Sequence, residues 1–333
     1  MSEIIECINC KQKLRIPTNQ IEIEIKCPKC NATWNKKEGN KNMQNNEQEI
    51  IEEIKKRIST IRTYTPKVGV FGNSGVGKSS LCNALFGQKI AKISDIEAGT
   101  RIPQEIRIGS SEGKGGIILV DVPGIGEDPD HQKEYIKLYK NLAPQLDLIL
   151  WAIKADDRNY ASGLEAYNEI IKIENIPSIV FLITQVDKIN PTKEWDHEES
   201  RPGENQIKNI AVKENDVSRR FNIPTNKIIS IAAEESKYNL KELVTLIVKI
   251  LPNEKKYSFT REAKKENVTE EVKIIAEKSI WESVKSFFEG SIEKISTVGK
   301  KILEEKINQE LVEKGLNILA ETVGNFLKKR FFK

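Results

Sequence analysis

Apolar residues follow two different spacings in the middle of the chain. Short runs of apolar and β-branched residues, typical of buried strands, alternate with stretches in which apolar residues recur every three or four positions, as in helices. This alternation predicts an α/β domain over residues 66–252, with a mostly parallel six-stranded sheet and helices on both faces. The predicted strands are residues 67–71, 102–108, 116–120, 146–153, 178–183 and 227–231.

The segments on either side of this domain have other patterns. Residues 1–34 contain two short stretches of alternating apolar and polar residues, and residues 35–48 are almost entirely polar, which predicts a flexible linker. Isoleucines at helical spacing predict an amphipathic helix over residues 49–65. Residues 253–333 are predicted to form a helical C-terminal region, whose charged first part, 253–269, is a linker or an exposed helix.

The apolar stripe of this C-terminal region runs from residue 272 to residue 327 and requires a partner surface. The α/β domain, a second copy of the chain and a membrane surface all fit the pattern. Residues 326–333 combine phenylalanine with lysine and arginine, as membrane-surface anchors do, although ordinary helical packing with a basic end is the favoured interpretation. The pattern leaves these alternatives open.

Four of the five cysteines form two C-x-x-C motifs, Cys7 with Cys10 and Cys27 with Cys30. Residues 11–26 separate the motifs, a spacing that matches a four-thiolate zinc site and resembles a zinc ribbon. A segment of about thirty residues buries too little apolar surface to fold alone, so the metal is expected to stabilise it. The zinc would be structural, because four thiolates leave no open coordination position. Disulfides and a redox-active pair are the alternatives.

Composition and charge limit the class of protein. The 333 residues are 38% hydrophobic and 31% charged, as in globular proteins, and the net charge is only +4. Any basic surface that binds nucleic acid must therefore be local. The first residues lack the apolar core of a signal peptide, and no run of about 18 apolar residues occurs. We therefore expect a cytoplasmic protein, peripheral at the membrane if its C-terminal helices bind lipid.

One segment fits the phosphate-binding pattern G-x-x-x-x-G-K-[ST]: Gly72-Asn73-Ser74-Gly75-Val76-Gly77-Lys78-Ser79. A predicted strand precedes it and a predicted helix follows it, which makes a chance glycine-rich turn the weaker interpretation. Glycines let backbone N–H groups surround phosphate oxygens, and the helix N-terminus adds positive charge. Lys78 is expected to reach the β- and γ-phosphates and Ser79 to bind Mg²⁺. The predicted phosphate-binding set is Asn73, Ser74, Gly75, Val76, Gly77, Lys78, Ser79 and Ser80.

The third predicted strand brings an aspartate towards the same edge of the sheet. Residues 116–120 are followed directly by Asp121-Val122-Pro123-Gly124. A carboxylate at the C-terminal end of a strand beside the phosphate loop can hold Mg²⁺, usually through water. Asp121 is therefore a predicted magnesium ligand, and the Gly124 N–H is placed to contact the γ-phosphate.

Together these motifs resemble the Era-like GTPases of the translation-factor class, in particular a bacterial YfjP-like subgroup, and more distantly the immunity-related GTPases. The matching stretches are residues 72–86, 121–124, 150–158 and 194–196. The resemblance covers residues 66–252 and implies a P-loop GTPase domain that binds GTP and GDP with Mg²⁺ and hydrolyses GTP slowly. It also implies catalytic contributions from Lys78, Thr100 and Gly124, with Thr100 closing on Mg²⁺ in the GTP state.

The same resemblance implies that Thr184-Gln185-Val186-Asp187 recognises guanine. In these GTPases the aspartate accepts hydrogen bonds from N1 and N2 of guanine, donors that adenine lacks. A helix cap is the alternative role of Asp187. Gln185 replaces the usual lysine, whose stem lies against the base, so stacking is expected to be weaker. A further contact to the base is implied at the end of the last strand, at Ser230 or Ala232.

Two positions depart from related enzymes. Ile125 follows Gly124, where Ras-like enzymes carry the glutamine that orients the attacking water. Hydrolysis is therefore expected to depend on backbone groups, on a partner or on a second copy of the chain. Gly75 occupies the position of the potassium-binding asparagine that some Era-like relatives carry.

Three functions are compatible with these features. The favoured one is a nucleotide-dependent switch that acts on an unknown effector protein. The second, less favoured, is an RNA- or ribosome-associated assembly GTPase that uses the zinc ribbon. The third is a membrane-associated GTPase that self-associates in the GTP state through its C-terminal helices.

Overall fold

The computed structural model describes residues 2–7, 9–17, 22–37, 40–73, 75–86, 104–108, 117–121, 132–234 and 237–288. They fall into two compact units: the described residues up to 57 together with those from 287 onwards, and residues 58–286. The strands are β1 (Ser2–Glu6), β2 (Lys13–Pro17), β3 (Glu22–Lys26), β4 (Thr33–Lys37), β5 (Lys67–Gly72), β6 (Gln104–Ile108), β7 (Ile117–Asp121), β8 (Leu148–Lys154), β9 (Ser178–Thr184) and β10 (Ile228–Ser230). The α-helices are α1 (Asn40–Thr63), α2 (Lys78–Phe86), α3 (Gln132–Leu142), α4 (Ala161–Ile170), α5 (Glu204–Phe221), α6 (Leu240–Ile250), α7 (Asn253–Glu262) and α8 (Glu270–Phe288).

A six-stranded sheet in the order β10-β9-β8-β5-β7-β6 forms the centre of the second unit. Five of its strands are parallel, and β6 pairs antiparallel with β7 at one edge. The prediction of a mostly parallel six-stranded sheet is confirmed. Because parallel strands end at the same edge, the residues that follow β5, β8 and β9 come together there, beside the end of β7.

Helices cover both faces of this sheet, as predicted. On one face, Trp151 of β8 is 1% exposed and lies within an aromatic cluster with side chains of α3, α4 and α5. On the other face, α2, α6 and α7 contribute a second, mainly aliphatic core. The apolar runs of the central strands are explained by this double burial, since parallel sheets of α/β domains are covered on both faces.

The prediction of a charged linker or exposed helix over residues 253–269 was wrong. These residues form α7 and the approach to α8, and they pack on the sheet unit: the side chain of Phe259 is fully buried in its core. The Asn267 amide donates to the carbonyl of Ala84 at 2.9 Å, and the backbone N–H of Lys264 donates to the carbonyl of Leu85 at 2.8 Å. Two of the carbonyls at the C-terminal end of α2 are thus satisfied by residues far along the chain.

The predicted flexible linker over residues 35–48 was also wrong. Strand β4 runs to Lys37 and helix α1 begins at Asn40, well before the expected start at residue 49. The physical reason is that a polar sequence without proline can extend a helix that an apolar stripe further along has nucleated, because propagation costs far less than nucleation. The helix ends at Thr63, close to the predicted end.

The buried carboxylate of Asp147, which precedes β8, connects three segments of the sheet unit. It accepts hydrogen bonds from the Tyr64 hydroxyl at 2.9 Å and from the backbone N–H of Lys67 at 2.8 Å, and it forms an ion pair with Lys255 of α7. Burial and the neighbouring Asp147 charge raise the pKa of Tyr64, so the phenol remains a donor. The segment that precedes β5 is therefore attached to the edge of the sheet at which β5 and β8 begin.

Among the helices that the structure describes, none has both the length and the apolar character needed to cross a bilayer. The predicted apolar stripe continues beyond α8, and residues 289–333 lie outside the described part of the chain. The three alternatives for the C-terminal region therefore remain predictions.

Candidate functional site

The phosphate loop between β5 and α2 has the backbone shape that its glycines predict. Gly72, Gly75 and Gly77 have φ values of 141°, 72° and 85°, a region that other residues rarely adopt. A Cβ at Gly72 would lie 2.3 Å from the carbonyl oxygen of Ala152, so no side chain fits there. Helix α2 begins at Lys78, which places its N-terminus at the loop.

The predicted phosphate and magnesium ligands follow this loop in the first turn of α2. The Lys78 ammonium donates to the carbonyl of Asn73 at 3.2 Å, across the opening of the loop. Ser79 is half-buried beside it. The Ser80 hydroxyl lies 3.1 Å from a carboxylate oxygen of Glu234, so this side chain has a partner on the β10–α6 connection.

The predicted base-recognition segment is hydrogen-bonded directly to the phosphate loop. Thr184, 3% exposed at the end of β9, donates its hydroxyl to the carbonyl of Val76 at 2.7 Å. Gln185 has left-handed backbone geometry, with φ 57°, and its amide donates to the carbonyl of Gly75 at 3.0 Å. Asp187 lies in the following 3-10 turn, Val186–Lys188, and is half-buried.

The third predicted element of the site, at the end of β10, lies next to this segment. The N–H of Val186 donates to the carbonyl of Ile231 at 3.3 Å, which brings Ala232 to the same edge. Ser230 is 2% exposed, and its hydroxyl donates to Glu214 of α5 at 2.7 Å. The Ser230 side chain is thus engaged with α5, and Ala232, 1% exposed, exchanges backbone hydrogen bonds with Tyr238.

The remaining predicted ligands are only partly described. Asp121 is the last residue of β7, in parallel register with Val70 of β5, which puts its backbone beside the start of the phosphate loop. Ser74, Thr100, Gly124 and Ile125 lie outside the described residues. Their roles therefore remain predictions.

Sequence reasoning missed one residue of the site, Asp157, which follows β8. The side-chain amide of Asn73 in the phosphate loop donates to Asp157 Oδ2 at 3.2 Å. The carbonyl oxygen of Asp157 also accepts a hydrogen bond from Lys213 of α5. The only signal in the sequence was the match over residues 150–158, to which no role was assigned.

The four N-terminal cysteines converge on one point. Each C-x-x-C motif lies at the turn of a two-stranded hairpin, β1–β2 or β3–β4, and all four sulfur atoms lie within 4.8 Å of one another. The sulfurs of Cys7 and Cys30 are 3.5 Å apart, and those of Cys10 and Cys27 are 3.7 Å apart. Disulfide bonds measure about 2.05 Å, whereas tetrahedral zinc thiolates at about 2.3 Å put their sulfurs about 3.8 Å apart.

The pKa values of two cysteines in this cluster shift in opposite directions: that of Cys10 is raised to about 11, because a backbone hydrogen bond from Gln12, which lowers it, is outweighed by desolvation and the neighbouring thiols. The pKa of Cys7 is lowered to about 6, chiefly because its sulfur accepts a hydrogen bond from the backbone N–H of Cys10. Metal binding requires deprotonated thiols, so such hydrogen bonds prepare the site for a cation. The residues present therefore fit a metal ion with four sulfur ligands.

Comparison with known proteins adds independent information. Residues 67–185 match the family described as 50S ribosome-binding GTPase. YkfA of Escherichia coli is 35% identical over 211 residues, which are 62% of this chain and 69% of YkfA. YfjP of the same organism is 41% identical over 143 residues, 43% of this chain and 49% of YfjP. The GTPase Era of Aquifex aeolicus is 30% identical over 188 residues, 56% of each chain, so the match spans about half of the latter two relatives.

Proposed function

The chain belongs to the family of YkfA and contains a GTPase domain similar to that of Era, and we propose that it binds GTP with Mg²⁺, hydrolyses it slowly and acts as a nucleotide-dependent switch. One observation carries the proposal. The segment predicted to recognise guanine donates two hydrogen bonds, from Thr184 and Gln185, to carbonyls of the phosphate loop. These hydrogen bonds hold the predicted base-recognition segment beside the phosphate loop, an arrangement that supports the binding of one nucleotide by both.

The roles of the individual residues follow from their chemistry. Backbone N–H groups of the loop and the Lys78 ammonium bind the phosphates, and Asp187 accepts hydrogen bonds from guanine. Ser79, Thr100 and Asp121 hold the Mg²⁺, which neutralises charge that develops on the phosphates. The Gly124 N–H would contact the γ-phosphate, which would make the segment that follows Asp121 sensitive to hydrolysis.

Gln185 has a role that differs from base stacking in this proposal. Its amide reaches the carbonyl of Gly75 at 3.0 Å, and Lys188 donates to the Gln185 side-chain oxygen at 3.2 Å. A neutral amide therefore joins the base loop to the phosphate loop, where related GTPases place a lysine. We propose that Gln185 positions both loops and that its contact with the base is secondary.

The specific activity of GTP hydrolysis should rise with protein concentration. Ile125 offers no polar group to orient the attacking water, so an isolated chain retains only the stabilisation of the phosphates. A second copy or a partner that supplies an arginine or another polar group could add about 10³–10⁵ in rate. The measurement is phosphate release per chain over a wide range of enzyme concentrations, together with molecular mass in a GTP analogue and in GDP.

Removal of residues 289–333 tests whether the C-terminal region drives this association. That truncation keeps α8, whose residues Val272 and Ile280 are fully buried. It should leave GTP affinity unchanged and abolish the dependence on concentration. Turnover of several GTP per second by a dilute monomer without a partner would contradict the proposal.

We further propose that Cys7, Cys10, Cys27 and Cys30 hold one structural Zn²⁺. The four sulfur atoms, all within 4.8 Å of one another, support this proposal, because four thiolates favour zinc over harder cations. The ion would connect the hairpins β1–β2 and β3–β4, which pair only within themselves. Zinc binding of about 10–16 kcal/mol is sufficient to keep such a small unit folded.

The purified protein should contain about one zinc ion per chain, as four-thiolate sites do. Replacement of Cys27 with serine should remove the metal and unfold the two hairpins, because a hydroxyl is a poor zinc ligand. The control is Cys82→Ala, which changes the fifth cysteine, buried in α2 and outside the cluster. Metal analysis under reducing conditions is the measurement, and a metal-free wild-type protein would contradict the proposal. GTP binding should survive the loss of zinc, since the phosphate loop belongs to the other compact unit.

A ribosomal or RNA partner is the second candidate function. The family that matches residues 67–185 is described as ribosome-binding, and this supports it. The small net charge of +4 means that such binding would need a local surface. RNA affinity that falls steeply with salt concentration, and that falls further when zinc is removed, would support the ribbon as that surface.

A further inference from the structure

A cavity of about 860 Å³ lies beside the candidate nucleotide site, between the loop after β8 and helix α5. Its wall carries three aspartates and a larger number of cationic side chains. The cationic ones are Arg158, Lys188, Lys213, Arg219 and Arg220. Small-molecule sites commonly have volumes of about 300–1,000 Å³, so the cavity can hold more than a single simple ion.

The aspartates of the wall do not neutralise these cations. Asp216 forms ion pairs with two guanidinium groups: its Oδ1 lies 2.8 Å from a nitrogen of Arg219 and 2.9 Å from a nitrogen of Arg220. Asp156 forms an ion pair at 3.2 Å with Lys154, which is not part of the wall. Lys188 also has a partner outside the wall, Glu234 at 3.6 Å. The four other cationic side chains then face only Asp157 and Asp216, so the cavity has an excess of positive charge.

Two cationic side chains of the wall have N–H groups that make no hydrogen bond within the described part of the chain. Arg158 is exposed, and within the described part of the chain its guanidinium makes no hydrogen bond or ion pair. Lys213 is only 9% exposed, and its ammonium lies 4.7 Å from the centre of the Tyr160 ring. Its one hydrogen bond within that part goes to the carbonyl of Asp157, although an ammonium has three donors.

Burial lowers the pKa of Lys213, which shows that the charged form lacks solvation in this position. The neighbouring Asp157 and Asp216 charges only partly compensate for that loss. An anion in the cavity would supply the missing charge and the missing acceptors. Phosphate oxygens suit this arrangement, since Arg158 can bind them in a bidentate manner while Lys213 acts as a point charge.

The inner end of the cavity is connected to the phosphate loop through Asp157. Its carbonyl accepts the hydrogen bond from Lys213, while its carboxylate accepts the hydrogen bond from Asn73 at 3.2 Å. An anion that draws the Lys213 ammonium into the cavity would weaken the support of the Asp157 loop. Because Asn73 is hydrogen-bonded to Asp157, movement of the Asp157 loop would also shift Asn73 and the backbone that surrounds the nucleotide phosphates.

We propose that this cavity binds a phosphate-bearing anion through Arg158 and Lys213, and that its binding loosens the phosphate loop through Asp157. The cavity differs from the predicted nucleotide site in its lining, because none of the predicted nucleotide ligands lines it, although Asp157 contacts both. A free polyphosphate and the backbone of single-stranded RNA both offer this chemistry. The experiment below distinguishes these two sources.

The test is titration calorimetry of full-length variants with tripolyphosphate in buffer without Mg²⁺. A Lys78→Ala background strongly weakens phosphate binding at the nucleotide site, so heat released at tripolyphosphate concentrations below that weakened affinity comes from the cavity. We expect this background to bind tripolyphosphate, and added Arg158→Met or Lys213→Met to weaken that binding about tenfold, the effect of one charge-assisted hydrogen bond. The matched control is added Lys208→Met, an exposed lysine on α5 that does not line the cavity.

The outcomes separate clearly. Absence of binding to the Lys78→Ala protein, or equal weakening by Lys208→Met, would overturn the site. If Lys213→Met does not fold, Arg158→Met alone tests the site, because Arg158 has no partner to lose within the described residues.

A parallel titration with an oligouridylate identifies the source of the phosphate. Tighter binding of the oligouridylate than of tripolyphosphate identifies RNA, and weaker binding identifies a free polyphosphate.

The link to the phosphate loop has its own readout, the release of a fluorescent GDP analogue. Tripolyphosphate should accelerate release from the wild-type protein more than from Lys213→Met. Chelation of Mg²⁺ acts alike on both proteins, so the difference between them reports the cavity. Equal acceleration in the two proteins would overturn the link.

Discussion

Replacement of Lys78 with alanine should weaken GTP binding by about 10²–10⁴-fold. The ammonium lies across the opening of the phosphate loop, 3.2 Å from the carbonyl of Asn73, where it can turn to the β- and γ-phosphates. Two charge-assisted hydrogen bonds of about 1.5–3 kcal/mol each account for that range. The rate at which the variant hydrolyses the GTP that it still binds should fall by about a further 10²–10³-fold, because the Lys78 charge also stabilises the transition state.

Lys67→Ala is the matched control for this variant. Lys67 begins β5, the strand that ends at the phosphate loop, and its ammonium forms an ion pair at 2.7 Å with Glu105. Exposed ion pairs contribute about 0–1 kcal/mol, so this variant should bind GTP like the wild-type protein. Calorimetry of both variants with GTP and Mg²⁺ is the measurement. Wild-type affinity in Lys78→Ala would show that the loop does not bind the phosphates.

Replacement of Asp187 with asparagine should change the base that the protein prefers. The carboxylate is expected to accept hydrogen bonds from N1 and N2 of guanine, and the asparagine amide presents a donor to one of them. Loss of two charge-assisted hydrogen bonds weakens GTP by about 10²–10⁴-fold. Xanthosine triphosphate carries a carbonyl at C2, so the variant should bind it more tightly than it binds GTP.

Inosine triphosphate provides the control on the side of the ligand. It keeps N1–H and lacks the N2 amine, so its affinity for the wild-type protein should lie between those of GTP and ATP. Competition against a fluorescent GDP analogue measures all four nucleotides with both proteins. Wild-type affinity for ATP equal to that for GTP would refute the role of Asp187 in base recognition.

The elements of the sheet unit were predictable because their signals are local. All six predicted strands occur within one or two residues of their expected bounds, and the phosphate loop joins β5 to α2 as its pattern requires. Apolar runs, glycines and a following helix leave little choice of backbone. The errors fell where local signals are weak, at the polar start of α1 and in the charged residues of α7.

The sequence by itself predicted the chemistry of this protein: a phosphate loop, a strand-end aspartate, a segment proposed to recognise the base and a four-cysteine cluster. Each is a short run of residues whose function depends on composition and spacing within the run. Only the tertiary structure decided what supports them. Gln185 is hydrogen-bonded to Gly75, Asp157 to Asn73, and Asn267 to Ala84, across 110, 84 and 183 positions of the chain. Such contacts depend on which strands are neighbours and on how the helices pack, and no local pattern specifies either.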